Sequence, residues 1–221
     1  MTVLIENKLN MTNKQLDKHL KRFIGKSQNR AWITKGYTDN ITTFATDSHK
    51  MLRISHSKEN NLISTDDKYF NKYKELYRSQ VDSIFNGSYH KIRLTRDVIK
   101  QLITVTKMIN QLKMLVEFDY NKENNQYILR AKHYRFNMEI PIKLEYIIKP
   151  YVFCSDDNKV QSKDNKILFN AQYLQNMLEF SYDNKDDYVD MYIPNNSKLK
   201  PIAIFGCDHT HSTIALPIRP S

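Results

Sequence analysis

Residues 45–52 read Ala-Thr-Asp-Ser-His-Lys-Met-Leu, and they lie in a segment, 41–54, whose pattern predicts β-strands. Another strand is predicted at 31–36. Upstream, Thr12 is a favourable N-cap residue for an amphipathic helix, because its side-chain oxygen accepts hydrogen bonds from the first turn. The apolar residues of that helix recur at helical spacing: Leu16, Leu20 and Phe23. Residues 3–55 therefore predict a unit of one strand, one helix and further strands.

Two later segments repeat this plan. Thr95 precedes a second amphipathic helix, and Asn170 is a suitable cap for a third. The strands predicted around these helices are 91–94, 115–120, 126–131 and 136–142 in the second unit, and 167–169, 188–193, 202–205 and 212–218 in the third. The repetition indicates an α+β protein whose domains are built from duplicated halves.

The segment 66–85 interrupts the plan with a mostly helical pattern of aromatic and apolar residues. It takes the place of a second half in the first domain. Asn-Gly-Ser at 86–88 is typical of a turn between domains. We therefore divide the chain into a reduced first domain, 1–87, and a complete second domain, 88–221.

The composition limits the classes of function. The 221 residues carry a formal charge of +10, which favours a polyanionic partner such as nucleic acid. Only 4 glycines are present, too few for the phosphate-binding loops that nucleotide-dependent enzymes use. The 2 cysteines predict no disulfide framework, and no apolar run is long enough to cross a membrane, so we expect a cytoplasmic protein.

The chain resembles the bacterial DNA sliding clamps, the beta subunits of DNA polymerase III. Residues 45–52 are similar to the Ala-Thr-Asp-Gly-His-Arg-Leu string of that family, and residues 214–219 are similar to its closing strand. Phe169-Asn170 followed by Tyr173 matches the family's Phe-Asn-x-x-Tyr pattern in the expected order. The resemblance implies a clamp fold with antiparallel sheets outside and basic helices inside. It covers 88–221 as a domain and 1–57 as half of one.

The resemblance also implies a peptide groove between the two domains, which would hold a short segment of a polymerase or another replication protein. Apolar side chains would anchor such a peptide and a few polar groups would orient it. The groove residues carried over from the family are Thr46, Ser48, His49, Lys50, Met51, Asn170, Tyr173, Ile202, Ile214, Leu216, Pro217, Ile218 and Arg219. The alternative is that Met51, Ile214, Leu216 and Ile218 are only core residues of two strands, as their alternation allows.

Three features depart from the family. Ser48 replaces a glycine, which adopts positive φ more readily, and Lys50 replaces an arginine, whose forked hydrogen bonds a lysine does not reproduce. The Phe-Pro-Asp-Tyr linker before the last domain has no counterpart. A typical bacterial clamp is also acidic, whereas this chain is basic.

Basic helix faces predict sequence-independent contact with the phosphates of duplex DNA. The predicted contacts are Lys14, Lys18, Lys21 and Arg22 on the first helix and Arg96, Lys100 and Lys107 on the second. The inserted helix offers Lys68, Lys72, Lys74 and Arg78, while the helix after Asn170 offers none. The alternative for each charged run is a solvated helix face.

Other kinds of site are less well supported. Cys207-Asp208-His209-Thr210-His211, with Cys154, contains zinc ligands but lacks their usual paired spacing. Asp186, Asp187 and Asp190 are the nearest approach to the carboxylate cluster of a metal-dependent nuclease, but an exposed loop explains them. The 14 tyrosines suit core positions better than stacking on single-stranded bases. We predict neither an enzyme nor a cofactor.

The sequence thus predicts a sliding-clamp-like processivity factor that binds duplex DNA and tethers replication proteins. If it closes the six-domain ring of the family, two domains per chain imply a homotrimer. The alternative is a clamp-fold protein of a phage or mobile element that does not encircle DNA and binds it directly, or competes for clamp-binding peptides.

Overall fold

The computed structural model describes residues 9–55, 62–121, 123, 126–132, 145–148, 153–154, 167–195 and 199–218. Within these residues the helices are α1 (Asn13–Phe23), α2 (Asp67–Phe85), α3 (Arg96–Gln111) and α4 (Ala171–Asp183), with a 3₁₀ segment at Gln28–Ile33. The strands are β1 (Gly36–Thr38), β2 (Thr42–Thr46), β3 (Lys50–Ser55), β4 (Ile63–Ser64), β5 (Tyr89–Thr95), β6 (Leu115–Asn121), β7 (Gln126–Lys132), β8 (Glu145–Ile148), β9 (Phe153–Cys154), β10 (Ile167–Asn170), β11 (Tyr188–Pro194), β12 (Ile202–Gly206) and β13 (His211–Ala215). The predicted strand 136–142 lies outside the described residues.

Side-chain caps fix the starts of α1 and α4, as the sequence predicts. Thr12 and Gln15 form a capping box, in which each side chain bonds the backbone of the other. The Asn170 side chain accepts a hydrogen bond from the backbone N–H of Gln172. Each cap satisfies donors that the first turn leaves unpaired, so both helices begin at defined residues.

The larger sheet joins both halves of the chain. Its order is β4-β1-β2-β3-β13-β12-β11-β5-β9, and the smaller sheet has the order β10-β6-β7-β8. The two halves meet where β3 pairs antiparallel with β13, with Met51 opposite Ile214. All the described strand pairs are antiparallel except β1 with β4. The sheet therefore continues across the division at residue 87.

The second and third units interlock by exchanging their first strands. β5 opens the second unit but pairs with β11 of the third, and β10 opens the third unit but pairs with β6 of the second. Neither unit can complete a sheet alone. This exchange ties the described strands of the second unit to those of the third.

Three helices, α1, α4 and α3, form a layer on one face of the sheets. In this helix layer α4 contacts both neighbours. Leu16, Leu20 and Phe23 of α1 share one core with Leu52 of β3 and with Phe180 of α4. Because these side chains are fully or almost fully buried, the hydrophobic effect holds the layer on the sheets.

Helix α2 packs on the opposite face of the larger sheet. Phe44 and Ala45 are consecutive in β2 and point to opposite faces; Ala45 belongs to the core under α1, whereas Phe44 packs with Phe70 and Tyr73 of α2. Farther along α2, Ile84 packs on Ile214 of β13. The helix thus covers the junction of β3 and β13 from outside.

The strand predicted at 31–36 is wrong for most of its length. Gln28–Ile33 is a 3₁₀ segment and the strand begins at Gly36. The segment packs closely on the preceding turn, because the Gly25 N–H bonds the Ile33 carbonyl at 2.7 Å and a Cβ on Gly25 would lie 2.3 Å from the Ile33 side chain.

Candidate functional site

A tight turn between β2 and β3 carries the central part of residues 45–52. Asp47 Oδ1 accepts the backbone N–H groups of His49 and Lys50, and the Thr46 hydroxyl donates to the Lys50 carbonyl at 2.7 Å. Ser48 at the turn has φ 81°, the region that favours glycine. Left-handed backbone costs a residue with a Cβ about 1–2 kcal/mol, and these hydrogen bonds offset that cost. The turn therefore forms with serine in the family's glycine position.

Lys50, His49 and Tyr173 assemble beside this turn. The Lys50 Nζ pairs with Asp47 and lies 4.5 Å from the centroid of the Tyr173 ring, while the His49 ring stacks on Tyr173 at 6.0 Å. Burial raises the pKa of the Tyr173 hydroxyl, with a further contribution from Asp47, so the tyrosine stays neutral. The assembly joins the first half of the chain to α4.

The segment after β13 runs along the same assembly. The backbone N–H of Leu216 bonds the His49 carbonyl at 2.8 Å, and that of Ile218 bonds the Leu168 carbonyl at 2.9 Å. Leu216 is 37% exposed, and Pro217 and Ile218 are partly exposed. These bonds hold the backbone of the segment beside His49 and Leu168, while its apolar side chains stay partly exposed.

The remaining groove residues lie deeper. Those that are buried are Thr46, Lys50, Met51, Ile202 and Ile214, while Ser48 and Asn170 are partly exposed. Met51 and Ile214 belong to the clusters under α2, so this helix forms the outer cover of the groove floor. Arg219 lies outside the described residues.

The predicted DNA contacts divide into two groups. Exposed side chains of the helix layer, pointing away from the core, are Lys14, Lys18 and Lys21 on α1 and Lys100 and Lys107 on α3. Arg22 instead pairs with Glu179 of α4, and Arg96 lies 4.2 Å from the Tyr182 ring centroid. Burial opposes ionisation of Glu179, but hydrogen bonds from Gln175 and Arg22 outweigh it and lower the pKa of that carboxyl. The two arginines therefore link helices.

The basic side chains of α2 lie away from the helix layer. Lys72 lies 4.2 Å from the Trp32 ring centroid and Lys68 is exposed on the same helix. Because α2 packs on the other face of the sheet, these cations do not share a surface with those of α1 and α3. Helix α2 therefore covers the outer face of the larger sheet and does not lie beside the helices predicted to contact DNA.

A cleft of about 1040 Å³ lies between the C-terminal end of α1, the turn that follows it and the start of α4. We call it the basic cleft. Its walls carry the cations Lys21, Arg22, Lys26, Arg30 and Lys50, the single carboxylate Asp47, and the amides Asn29, Gln172, Gln175 and Asn176. The sequence reasoning missed Lys26 and Arg30, since an irregular segment has no periodicity that marks its exposed face. The short basic run Gly-Lys-Ser-Gln-Asn-Arg at 25–30 was the available signal.

The potential zinc ligands at 207–211 are dispersed in the structure. The ligand atoms of Asp186, Cys207 and Asp208 lie within 4.8 Å of one another. His209 is exposed, and the Cys154 side chain lies outside the described part of the structure. Asp190 instead pairs with Lys91 and Arg93. Among the described residues, neither Asp187 nor Asp190 belongs to the cluster around Cys207.

A buried polar pair connects β13 with the turn after α4. His211 Nε2 lies 3.3 Å from Asp186 Oδ2 and 3.0 Å from the Ser181 hydroxyl. Burial lowers the pKa of His211 to about 4 and raises that of Asp186 to about 7. Nearby, burial lowers the pKa of His19. Its 2.9 Å contact with Asp183 raises that pKa but does not outweigh the burial. This network lies at the α1–α4–β13 junction and away from the groove.

Solved structures share the fold of this chain. The chain has the fold of a bacterial DNA sliding clamp. The beta sliding clamp of Caulobacter crescentus matches at TM-score 0.55 and 10% identity, over 99% of this chain and 68% of that one. The DNA polymerase III beta subunit of Thermotoga maritima matches at TM-score 0.59 and 11% identity, over 94% of this chain and 64% of that one. The Pseudomonas aeruginosa sliding clamp matches at TM-score 0.55 and 12% identity, over 90% of this chain and 63% of that one.

The clamp-fold chain thus spans about two thirds of the length of these clamps. No protein-family model matches it, and no curated protein does. Among the described residues, no helix is long and apolar enough to cross a membrane.

Proposed function

We propose that the chain is a non-enzymatic, cytoplasmic clamp-like processivity factor that binds duplex DNA with its helix layer and tethers replication proteins through the groove. The observation that carries this proposal is the junction of β3 and β13. There the Leu216 N–H bonds the His49 carbonyl, so the two separated motifs form one surface on a sliding-clamp fold. Partly exposed apolar side chains beside a lysine and two aromatic rings suit a short apolar peptide.

The DNA contact is tested by charge reversal on the helix layer. Changing Lys14, Lys18 and Lys21 to Glu should weaken binding to a duplex of random sequence, because these exposed cations have no strong ion pair within the described residues. The slope of log K against log salt should become shallower by about two to three, because each phosphate that a lysine neutralises adds about one to it. Fluorescence anisotropy of a labelled duplex over a salt series measures both quantities.

The matched control changes Lys68, Lys72 and Arg78 of α2 to Glu. It removes the same charge from the opposite face of the sheet, so the salt slope should stay close to that of the unaltered protein. Equal losses of affinity in the two triple variants would show that net charge alone drives binding, and would exclude the helix layer as the DNA surface.

Ring closure is a separate part of the proposal. The chain covers 63–68% of the length of the matched clamps. With two domains per chain, as the sequence predicts, three chains would supply a six-domain ring. The edge strands of the two sheets as described are β4 and β9 in the larger and β10 and β8 in the smaller, and an edge strand can pair with another copy. Light scattering at micromolar concentration should give a trimer. A stable monomer would favour the non-encircling alternative.

A further inference from the structure

The basic cleft is continuous with the groove. Lys50 belongs to both, since its Nζ lies over the Tyr173 ring and its side chain lines the cleft. Gln172 and Asn176 stand on either side of Tyr173 in α4 and also line the cleft. A peptide that lies across His49 and Tyr173 therefore meets the cleft directly beyond the ring.

The charges of the cleft are only partly neutralised. Arg22 pairs with Glu179, and Lys50 pairs with Asp47. The side chains of Lys21, Lys26 and Arg30 are exposed and have no ion pair within the described parts of the chain. Three cations around one concave surface favour a ligand that carries several negative charges.

The cleft also contains a hydrogen-bond acceptor that needs a donor. Gln175 is 7% exposed; its Nε2 donates to Glu179 at 2.7 Å, while its buried Oε1 accepts no hydrogen bond from the described residues. Peptide backbone supplies N–H donors together with carboxylate side chains. A phosphodiester backbone supplies acceptors only, so it can pair with the cations but offers no donor to the amide oxygens of the cleft walls.

We propose that the basic cleft binds an acidic segment of the partner peptide, next to the apolar anchor that the groove holds. The inference rests on the proposed tethering function and deepens it by naming the chemistry of the partner. Recognition then has two parts: the anchor provides desolvated apolar contact, and the acidic flank provides charge complementarity that strengthens and orients binding.

Labelled synthetic peptides test this inference. Each carries a Leu-Leu-Phe anchor with a flank of either Glu or Gln residues, placed before the anchor in one pair and after it in another. In one of the two orders, the Glu peptide should bind about tenfold more tightly than its Gln partner, because several weak surface pairs act together. The preference should shrink between about 0.05 M and about 0.5 M salt, where charge screening is strong.

The variant Lys26→Glu with Arg30→Glu should abolish the preference for the Glu peptide, whereas the control Lys68→Glu with Lys72→Glu on α2 should keep it. Equal affinities for the Glu and Gln peptides in both orders would overturn the inference while leaving the groove intact. If no peptide binds, the tethering function fails and the inference fails with it. If the cleft variant loses duplex affinity but keeps the preference for Glu, the cleft serves DNA and the inference is wrong.

Discussion

Replacing Leu216 and Ile218 together by Asp is expected to lower the affinity for the Gln-flanked apolar peptide at least about a hundredfold, because buried anchor contacts dominate such interfaces. The fold should survive. Leu216 is 37% exposed, and the hydrogen bonds that hold this segment use backbone N–H groups of both residues. Anisotropy titration measures the affinity, and circular dichroism with thermal melting checks the fold.

The matched control changes Ile41 and Leu199 to Asp, since these side chains are 67% and 60% exposed and neither belongs to the groove. It introduces the same two charges, so it should bind the peptide as the unaltered protein does. Unchanged affinity in the Leu216 and Ile218 variant would show that the segment after β13 is not the anchor site.

Asp186→Asn is expected to make the free energy of unfolding depend steeply on pH. Alone, a histidine with a folded-state pKa of about 4 destabilises the fold as pH falls below its unfolded value of about 6.5, because the unfolded chain binds the extra proton. Alone, an aspartate with a folded-state pKa of about 7 destabilises it as pH rises from about 4, because the folded chain binds the extra proton.

When both groups are present, their opposite effects on the pH dependence of the free energy of unfolding cancel. Between about pH 4 and 6.5 the unfolded chain holds one proton on His211, and the folded chain holds one on Asp186. Asp186→Asn removes the opposing slope, so stability should fall by about 1.4 kcal/mol per pH unit as pH is lowered through this window, or about 3 kcal/mol in all.

Urea unfolding at several pH values measures this difference. His19, whose pKa burial also lowers, contributes the same background to both proteins. Asp82 provides a control, because it is exposed on α2, across the sheet from His211; Asp82→Asn should leave the pH profile parallel to that of the unaltered protein. A parallel profile for Asp186→Asn as well would contradict the opposed pKa shifts of Asp186 and His211.

Local sequence patterns predict the helices and strands that hold the candidate groove. Thr12 and Asn170 marked helix starts because capping depends only on nearby residues. The motif 45–52 and the residues after β13 indicated the fold through resemblance, and the structure places them side by side. Whether this junction binds a peptide stays a prediction.

Other features depend on information that the local pattern lacks. The apolar stripe of α2 showed that one helix face is buried, but periodicity does not say which face of a sheet it covers; Phe44 and Met51 decide that only once β2 and β3 are paired. Likewise, the sequence predicts Arg22 as an exposed cation, because it does not show that Glu179 of α4 lies beside it in the fold.

The position of β13 has a consequence for biosynthesis. This strand follows the other twelve described strands along the chain, yet it lies near the middle of the larger sheet, between β3 and β12. As the chain leaves the ribosome, the edge of β3 stays open until β13 emerges, since its first residue, His211, pairs with Ile54, 157 residues earlier in the chain. The completed junction is thus the last part of the sheet to form, and the nascent chain needs protection from pairing with other strands until then.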